Sequence, residues 1–332
     1  MRVLTNMRFW QSRTWTAATT SIYPYHRLPL GRKPLSPLRE ALELFRLAPG
    51  FDVVVTMGAR ESLAYGLLCL LTGRSSRQVL TEVFVDDPWV RTPLWQYKLL
   101  LYRAVARRSI GILTNSSAEI ATIADRFRIP SSRLAYVPMH TNIPEPCAQK
   151  TDEGFILSAG FTHRDYDCLI RAASDIPARI VILCGANERL PDTLPQNIEV
   201  RRDRPRDEYL DLLRRCTFVA LPLKPAPRAT GQVVLLEAMA LGKTVVAARA
   251  PGVMDYVRHG ENGLLFDAGD AAALASHCRD LLGDPARASV LAHAALADIL
   301  KSNTIETHAE NKLRMIQRLW EAADGPRAAG SP

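Results

Sequence analysis

The second half of the chain alternates short apolar, β-branched runs with helical patterns, and no other feature restricts its fold as strongly. FILSAG (155–160), ARIVILCG (178–185), NIEV (197–200), TFVALPL (217–223), TVVAA (244–248) and GLLF (263–266) read as strands. Helical patterns fill the gaps at 165–173, 206–216, 233–242 and 252–259. Strands this apolar, each followed by a helix, predict a doubly wound α/β fold: a parallel sheet covered on both faces. Gly242 closes its helix and the next strand follows within two residues, the short return such units use. From 270 to 323 the pattern is helical throughout, with Asp270, and Asp284 before Pro285, placed as N-caps.

The first half repeats the logic. Strands are expected at 52–57, 78–84, 109–115 and 134–139, and helices at 37–47, 60–72, 94–108 and 117–128. Ser116 and Glu119 have capping-box spacing at the last helix, and Pro130 stops it. Residues 140–154 are polar, contain proline and show no period, which marks a linker. The expected organisation is a basic Rossmann-like domain at 1–146 and a second at 147–323 carrying the helical tail, with a disordered end at 324–332. A chain that is 47% hydrophobic and 23% charged fills a core, which excludes disordered and fibrous classes. The six cysteines form no C-x-x-C pair, so they read as buried thiols of a reducing compartment, not as a zinc site or disulfide framework. No apolar run nears the roughly 20 residues of a spanning helix. The opening segment lacks an apolar signal core, although its Arg-rich, acid-poor composition leaves a transit peptide as an alternative to a cytoplasmic protein.

The net charge of +8 is unevenly spread: residues 1–146 hold 19 Lys/Arg against 10 Asp/Glu, and 147–332 hold 23 against 24. Residues 1–39 and 88–118 contain no acid at all, and in the second stretch Trp89, Trp95, Tyr97 and Tyr102 accompany Arg91, Lys98, Arg103, Arg107 and Arg108. Such asymmetry implies an anionic partner: a membrane surface, an acidic acceptor or nucleic acid. No nucleic-acid module or aromatic platform appears, so nucleic acid is not expected.

Chemistry concentrates in residues 221–270. A strand ends at Leu223, a loop carries Lys224, Arg228, Thr230 and Gly231, and a helix opens with Gln232 and Val233. Free N–H groups at a helix start, a glycine permitting close approach and two cations make an anion pocket, for which a diphosphate is the natural guest. Glu237, a turn and a half further on, could accept hydrogen bonds from ribose hydroxyls. The competing reading is a plain strand–loop–helix crossover.

LLEAMALGKTVVAA, APG, HGENGLLF and AGD, in this order and spacing, resemble the signature region of the retaining glycosyltransferases of group 1 (family 4), which use the GT-B fold. The resemblance covers most of 155–323 and the first half in outline. It implies two facing Rossmann-like domains and metal-free transfer of a hexosyl unit, with retention, from a nucleotide diphosphate sugar to a glycan or lipid-linked acceptor. No cofactor is implied. Glu237 is similar to the family's ribose-binding position. The family's first signature Glu is Ala229 here. After the first strand of the second domain the family has Gly-Arg and then Lys; this chain has Gly160, Phe161, Thr162, His163 and Arg164. Arg164 takes the place of the Lys, as the catalytic clamp on the departing diphosphate or as a solvated helix-start residue, with His163, Lys224 and Arg228 as further cations. Ala229 and Phe161 motivate the alternative of a degenerate GT-B protein that binds a sugar nucleotide or a partner without turnover. Asp165-Tyr166-Asp167 is formally D-x-D but opens a helix, where Asp is favoured as a cap, so no metal is expected. On the acceptor side, Gly58 and Arg60 follow a strand. Glu82, Asp86 and Asp87 fall in the loop where the family often carries a His, either as catalytic acids or as loop solubilisers. His259, His277, His293 and His308 read as structural or exposed.

Overall fold

The structure, a computed structural model, describes residues 1–23, 35–83 and 92–324. The chain divides into two compact units: Met1–Pro138 together with the last helix, and Met139–Thr304.

The first unit runs β1 (Val3–Thr5), α1 (Arg13–Ala18), β2 (Thr19–Ser21), α2 (Pro37–Leu47), β3 (Val53–Met57), α3 (Ala59–Thr72), β4 (Gln78–Thr81), α4 (Pro93–Arg108), β5 (Gly111–Thr114), α5 (Glu119–Phe127) and β6 (Leu134–Tyr136). Its six strands are all parallel in the order β2-β1-β3-β4-β5-β6. The second unit holds β7 (Phe155–Ala159), α6 (Tyr166–Ala173), β8 (Arg179–Cys184), β9 (Ile198–Arg202), α7 (Arg206–Arg215), β10 (Phe218–Leu221), α8 (Gln232–Ala240), β11 (Val245–Ala248), β12 (Leu264–Phe266), α9 (Ala271–Gly283) and α10 (Pro285–Ser302). Its sheet is again all parallel, in the order β12-β11-β10-β7-β8-β9. β7, β10 and β11 are buried along their whole length, which is why they read as unbroken apolar runs. Asp270 and Asp284 cap α9 and α10 as expected, each accepting a backbone N–H at 2.9 Å.

Three expectations need correction. Residues 252–259 form turns, not a helix: Pro251 and Gly252 open the segment, and Asn262 Oδ1 captures the Arg258 N–H at 2.7 Å before a second turn can propagate. The helical tail is shared between the units, since α11 (Ile305–Asp324) packs its Ala309, Ile316 and Leu319 with Val3, Val53 and Val79 of the first unit. At α5 the N-cap is Ala118, with Ser116 Oγ accepting from Ala118 N and Glu119 reaching back to Asn115 N, one residue off a true capping box. The Arg-rich opening segment, for which no element is expected from sequence, carries β1, an interior strand; three residues are too few to show a period. Five of the six free cysteines are buried, and Cys147 is exposed. Phe84, Asp86, Asp87, Trp89 and Arg91, and the end of the chain from 325, lie outside the described residues.

Candidate functional site

In the second unit the strand order reverses between β7 and β10, which are neighbours although two strands and two helices separate them in the chain. Ligands of open parallel sheets bind beyond the carboxyl ends of the strands at such a switch point. The loops leaving β7 and β10 are those singled out by sequence. They are stitched together: Asp165 N donates to Pro222 O at 3.1 Å, Lys224 N donates to His163 O at 2.9 Å, and Arg164 bridges Leu223 antiparallel.

Arg164 is not a solvated helix-start residue. Only 6% of it is exposed, and its Nε and Nη1 donate to Ala159 O and Thr162 O, both at 2.9 Å. Gly160 makes this possible. Its φ is +137°, and a Cβ there would sit 2.2 Å from Arg164 Nη2, so the guanidinium lies in the space a side chain would fill. No carboxylate among the described residues pairs with this cation, and burial pushes its pKa down from the usual arginine value. Asp165 caps α6, accepting from Cys168 N at 3.1 Å. Tyr166 Oη donates to Gly160 O at 2.8 Å and Leu183 O at 3.1 Å, fixing the loop from below. Phe161 and Thr162 are exposed, and the Phe161 ring lies beside Gly185 at the end of β8.

Gly231 caps α8 with φ +81°, and its bare Cα faces Leu223 and Leu221, seating the helix start on the end of β10. No side chain caps this terminus. Thr230 Oγ1 is buried there without a hydrogen-bond partner, Gln232 is buried, and Val233 is 41% exposed. Lys224 is exposed, while Arg228 and Ala229 are half-buried.

α8 is buried nearly all round, so its one carboxylate must be satisfied internally. Glu237 is fully buried. Its Oε1 accepts from Arg206 Nη2 at 2.7 Å and Asn142 Nδ2 at 3.2 Å, and its Oε2 accepts from Tyr209 Oη at 2.8 Å. Burial and then Glu237 hold the Tyr209 phenol well above its ordinary pKa. Sequence reading missed Asn142, Arg206 and Tyr209, because nothing local marks residues that meet Glu237 from two other segments.

In the first unit, Gly58 and Glu82 follow the adjacent strands β3 and β4, and Arg60 is exposed. Asn6, just past β1, pairs both backbone groups of Met57 (2.7 and 3.0 Å) and donates to Glu40 at 2.7 Å. Tyr23 Oη also donates to Glu40. Lys312 of α11 is 4% exposed; burial lowers its pKa to about 8, with Glu82 opposing. A signal for it existed: Ala309, Lys312, Ile316 and Leu319 share one helical stripe, and the lysine interrupts it. A separate cavity of about 440 Å³ lies at the opposite, amino edge of the second sheet, beside Gly154, Thr217, Lys243 and Thr244, away from both loops.

Residues 155–284 match the model of the family "Glycosyl transferases group 1". They are a group 1 glycosyltransferase domain, and the chain has the GT-B fold. Among relatives of the group 1 domain, a D-inositol 3-phosphate glycosyltransferase of Corynebacterium urealyticum is 29% identical over 246 residues, 64% of this chain and 56% of the relative. Another, from Catenulispora acidiphila, is 32% identical over 39% of this chain and 35% of the relative. The chain therefore spans about half, or less, of the length of these relatives. Anabaena Alr3699/HepE, solved in complex with UDP-glucose, superposes with a TM-score of 0.72 at 16% identity over 96% of this chain and 99% of that one.

Proposed function

We propose that this chain is a retaining glycosyltransferase that moves a hexosyl unit from a nucleotide diphosphate sugar to a glycan or lipid-linked acceptor. The observation that carries the reading is the buried, carboxylate-free Arg164 guanidinium beside the uncapped start of α8, at the switch point of the sheet. A desolvated cation and free N–H groups converge where a departing diphosphate needs charge stabilisation. Because Arg164 is held in place by the carbonyls of Ala159 and Thr162, its field is fixed before the substrate arrives. Lys224, exposed on the facing loop, supplies a mobile second cation. Glu237 holds the donor ribose. The relatives' names and the UDP-glucose held by the Anabaena protein support a nucleotide sugar as donor.

Gly58, Arg60 and Glu82 belong to the acceptor side, where Asn6 and Lys312 join them. The first unit carries a further feature in support of a lipid-linked acceptor: Leu94, Tyr97 and Leu100 of α4 are 77%, 60% and 58% exposed at helical spacing, with Arg107 and Arg108 exposed at its end. No helix among the described residues is long and apolar enough to cross a membrane, so the reading is adsorption at an anionic surface.

The test begins with thermal shifts against UDP, GDP, ADP and TDP. Binding at 100 times Kd stabilises by about 2.7 kcal/mol. The preferred nucleotide's sugar is then offered with acceptor extracts, and release of free nucleotide is measured. Saturable nucleotide binding with no release in any extract leaves a binding protein in place of an enzyme.

A further inference from the structure

Glu237 presents a physical difficulty for any ligand that must reach it. Its carboxylate has four acceptor positions, yet the residue is 0% exposed and three donors already hold it. Those donors are unequal. Tyr209 is 8% exposed and part of the core. Asn142 lies on the segment that leads into β7, and its bond is the longest, at 3.2 Å. Arg206 makes the shortest bond, 2.7 Å, although its side chain is 49% exposed.

The placement of Arg206 is itself unfavourable. It is the first residue of α7, where the helix dipole disfavours a cation. The carboxylate at its tip compensates, and Glu237 is the one hydrogen-bond or ion-pair partner that Arg206 has among the described residues. The neighbouring Arg201 and Arg204, by contrast, pair with Glu208. A half-exposed side chain with a single anchor can swing into solvent without disturbing the core, whereas Tyr209 cannot.

The geometry points to Arg206 as a displaceable cover on the ribose position: its guanidinium occupies the side of Glu237 Oε1 that a ribose hydroxyl takes when a nucleotide binds. This rests on the reading of Glu237 as the ribose acceptor. Binding exchanges one N–H donor for an O–H donor, so the carboxylate is never left without a partner. Arg206 then lowers affinity for every ribonucleotide, whereas a ligand without hydroxyls to exchange leaves it in place and is unaffected by it.

Isothermal titration of ADP, GDP and UDP, each paired with its 2′,3′-dideoxy analogue, decides it. Half-exposed ion pairs contribute little, so Arg206→Ala is expected to bind the preferred ribonucleoside diphosphate roughly fivefold more tightly. Its affinity for the dideoxy analogue stays as in wild type. Arg206→Gln, which keeps an N–H donor without the charge, falls between. Glu237→Gln weakens the ribonucleotide and spares the analogue. If Arg206→Ala leaves the ribonucleotide unchanged or weaker while Glu237→Gln still acts selectively, the cover is overturned and the ribose reading stands. A wild-type protein that binds ribonucleotide and dideoxynucleotide equally overturns the ribose reading, and the cover with it.

Discussion

Arg164 and Gly160 act as one device. The arginine can lie under the β7 loop only because Gly160 has no side chain, and the loop carbonyls then hold a cation that no acid neutralises. A charge so placed acts on what approaches the loop, and a diphosphate feels it more than an uncharged nucleoside does. Arg164→Ala should therefore reduce affinity for a nucleoside diphosphate by about tenfold to a hundredfold, the range of a lost charge-assisted bond. Affinity for the parent nucleoside should hardly change. Titration of both ligands with the folded variant checks this, and equal losses for the two would assign Arg164 to structure alone.

Among the elements, α11 shows how a distant stretch of sequence completes a local one. Glu306, in its first turn, accepts from Ser12 Oγ at 2.8 Å, Arg13 N at 2.8 Å and Thr14 N at 3.0 Å, and so satisfies the free N–H groups that open α1. Burial pushes the Glu306 carboxyl up, but the hydrogen bonds from Thr14, Ser12 and Arg13 outweigh it and bring the pKa to about 2. A folded-state pKa below the unfolded value means that the stabilisation is complete above the unfolded value of 4.5 and fades as pH falls towards about 2. After screening it amounts to about 1–2 kcal/mol. Glu306→Gln should lower the melting temperature at pH 7 and flatten its fall between pH 5 and 3. Thermal melts across that range measure it, and parallel curves for wild type and variant would refute the linkage.

For the molecule as a whole, the uneven charge is the feature with the largest expected consequence. The first unit combines basic residues with the exposed apolar stripe of α4, and basic groups near an anionic leaflet contribute about 1 kcal/mol each. Arg103 is not free for this, since its Nε donates to Arg126 O at 2.7 Å. The protein should co-sediment with anionic vesicles at low salt and be released at high salt, with no affinity for neutral vesicles. Replacing Leu94 and Leu100 by Ser should weaken that adsorption several-fold without loss of stability, both being exposed; unchanged co-sedimentation would remove α4 from the contact.

The parallel α/β architecture, nearly every element of the second unit and the two loops of the candidate site were readable along the chain. Each depends on local signals: continuous apolar runs where a strand is buried on both faces, and a glycine where the backbone must turn or be approached. Proximity in space was not readable. That Glu237 is sealed by Arg206, Tyr209 and Asn142, that Glu306 caps a helix almost 300 positions upstream, and that Lys312 lies near Glu82 are facts of packing. Local periodicity carries no term for such encounters, because partners brought together by sheet order share no spacing. Val3–Thr5 shows the same limit from the other side, since three residues are enough for an interior strand once its neighbours exist and too few to announce one.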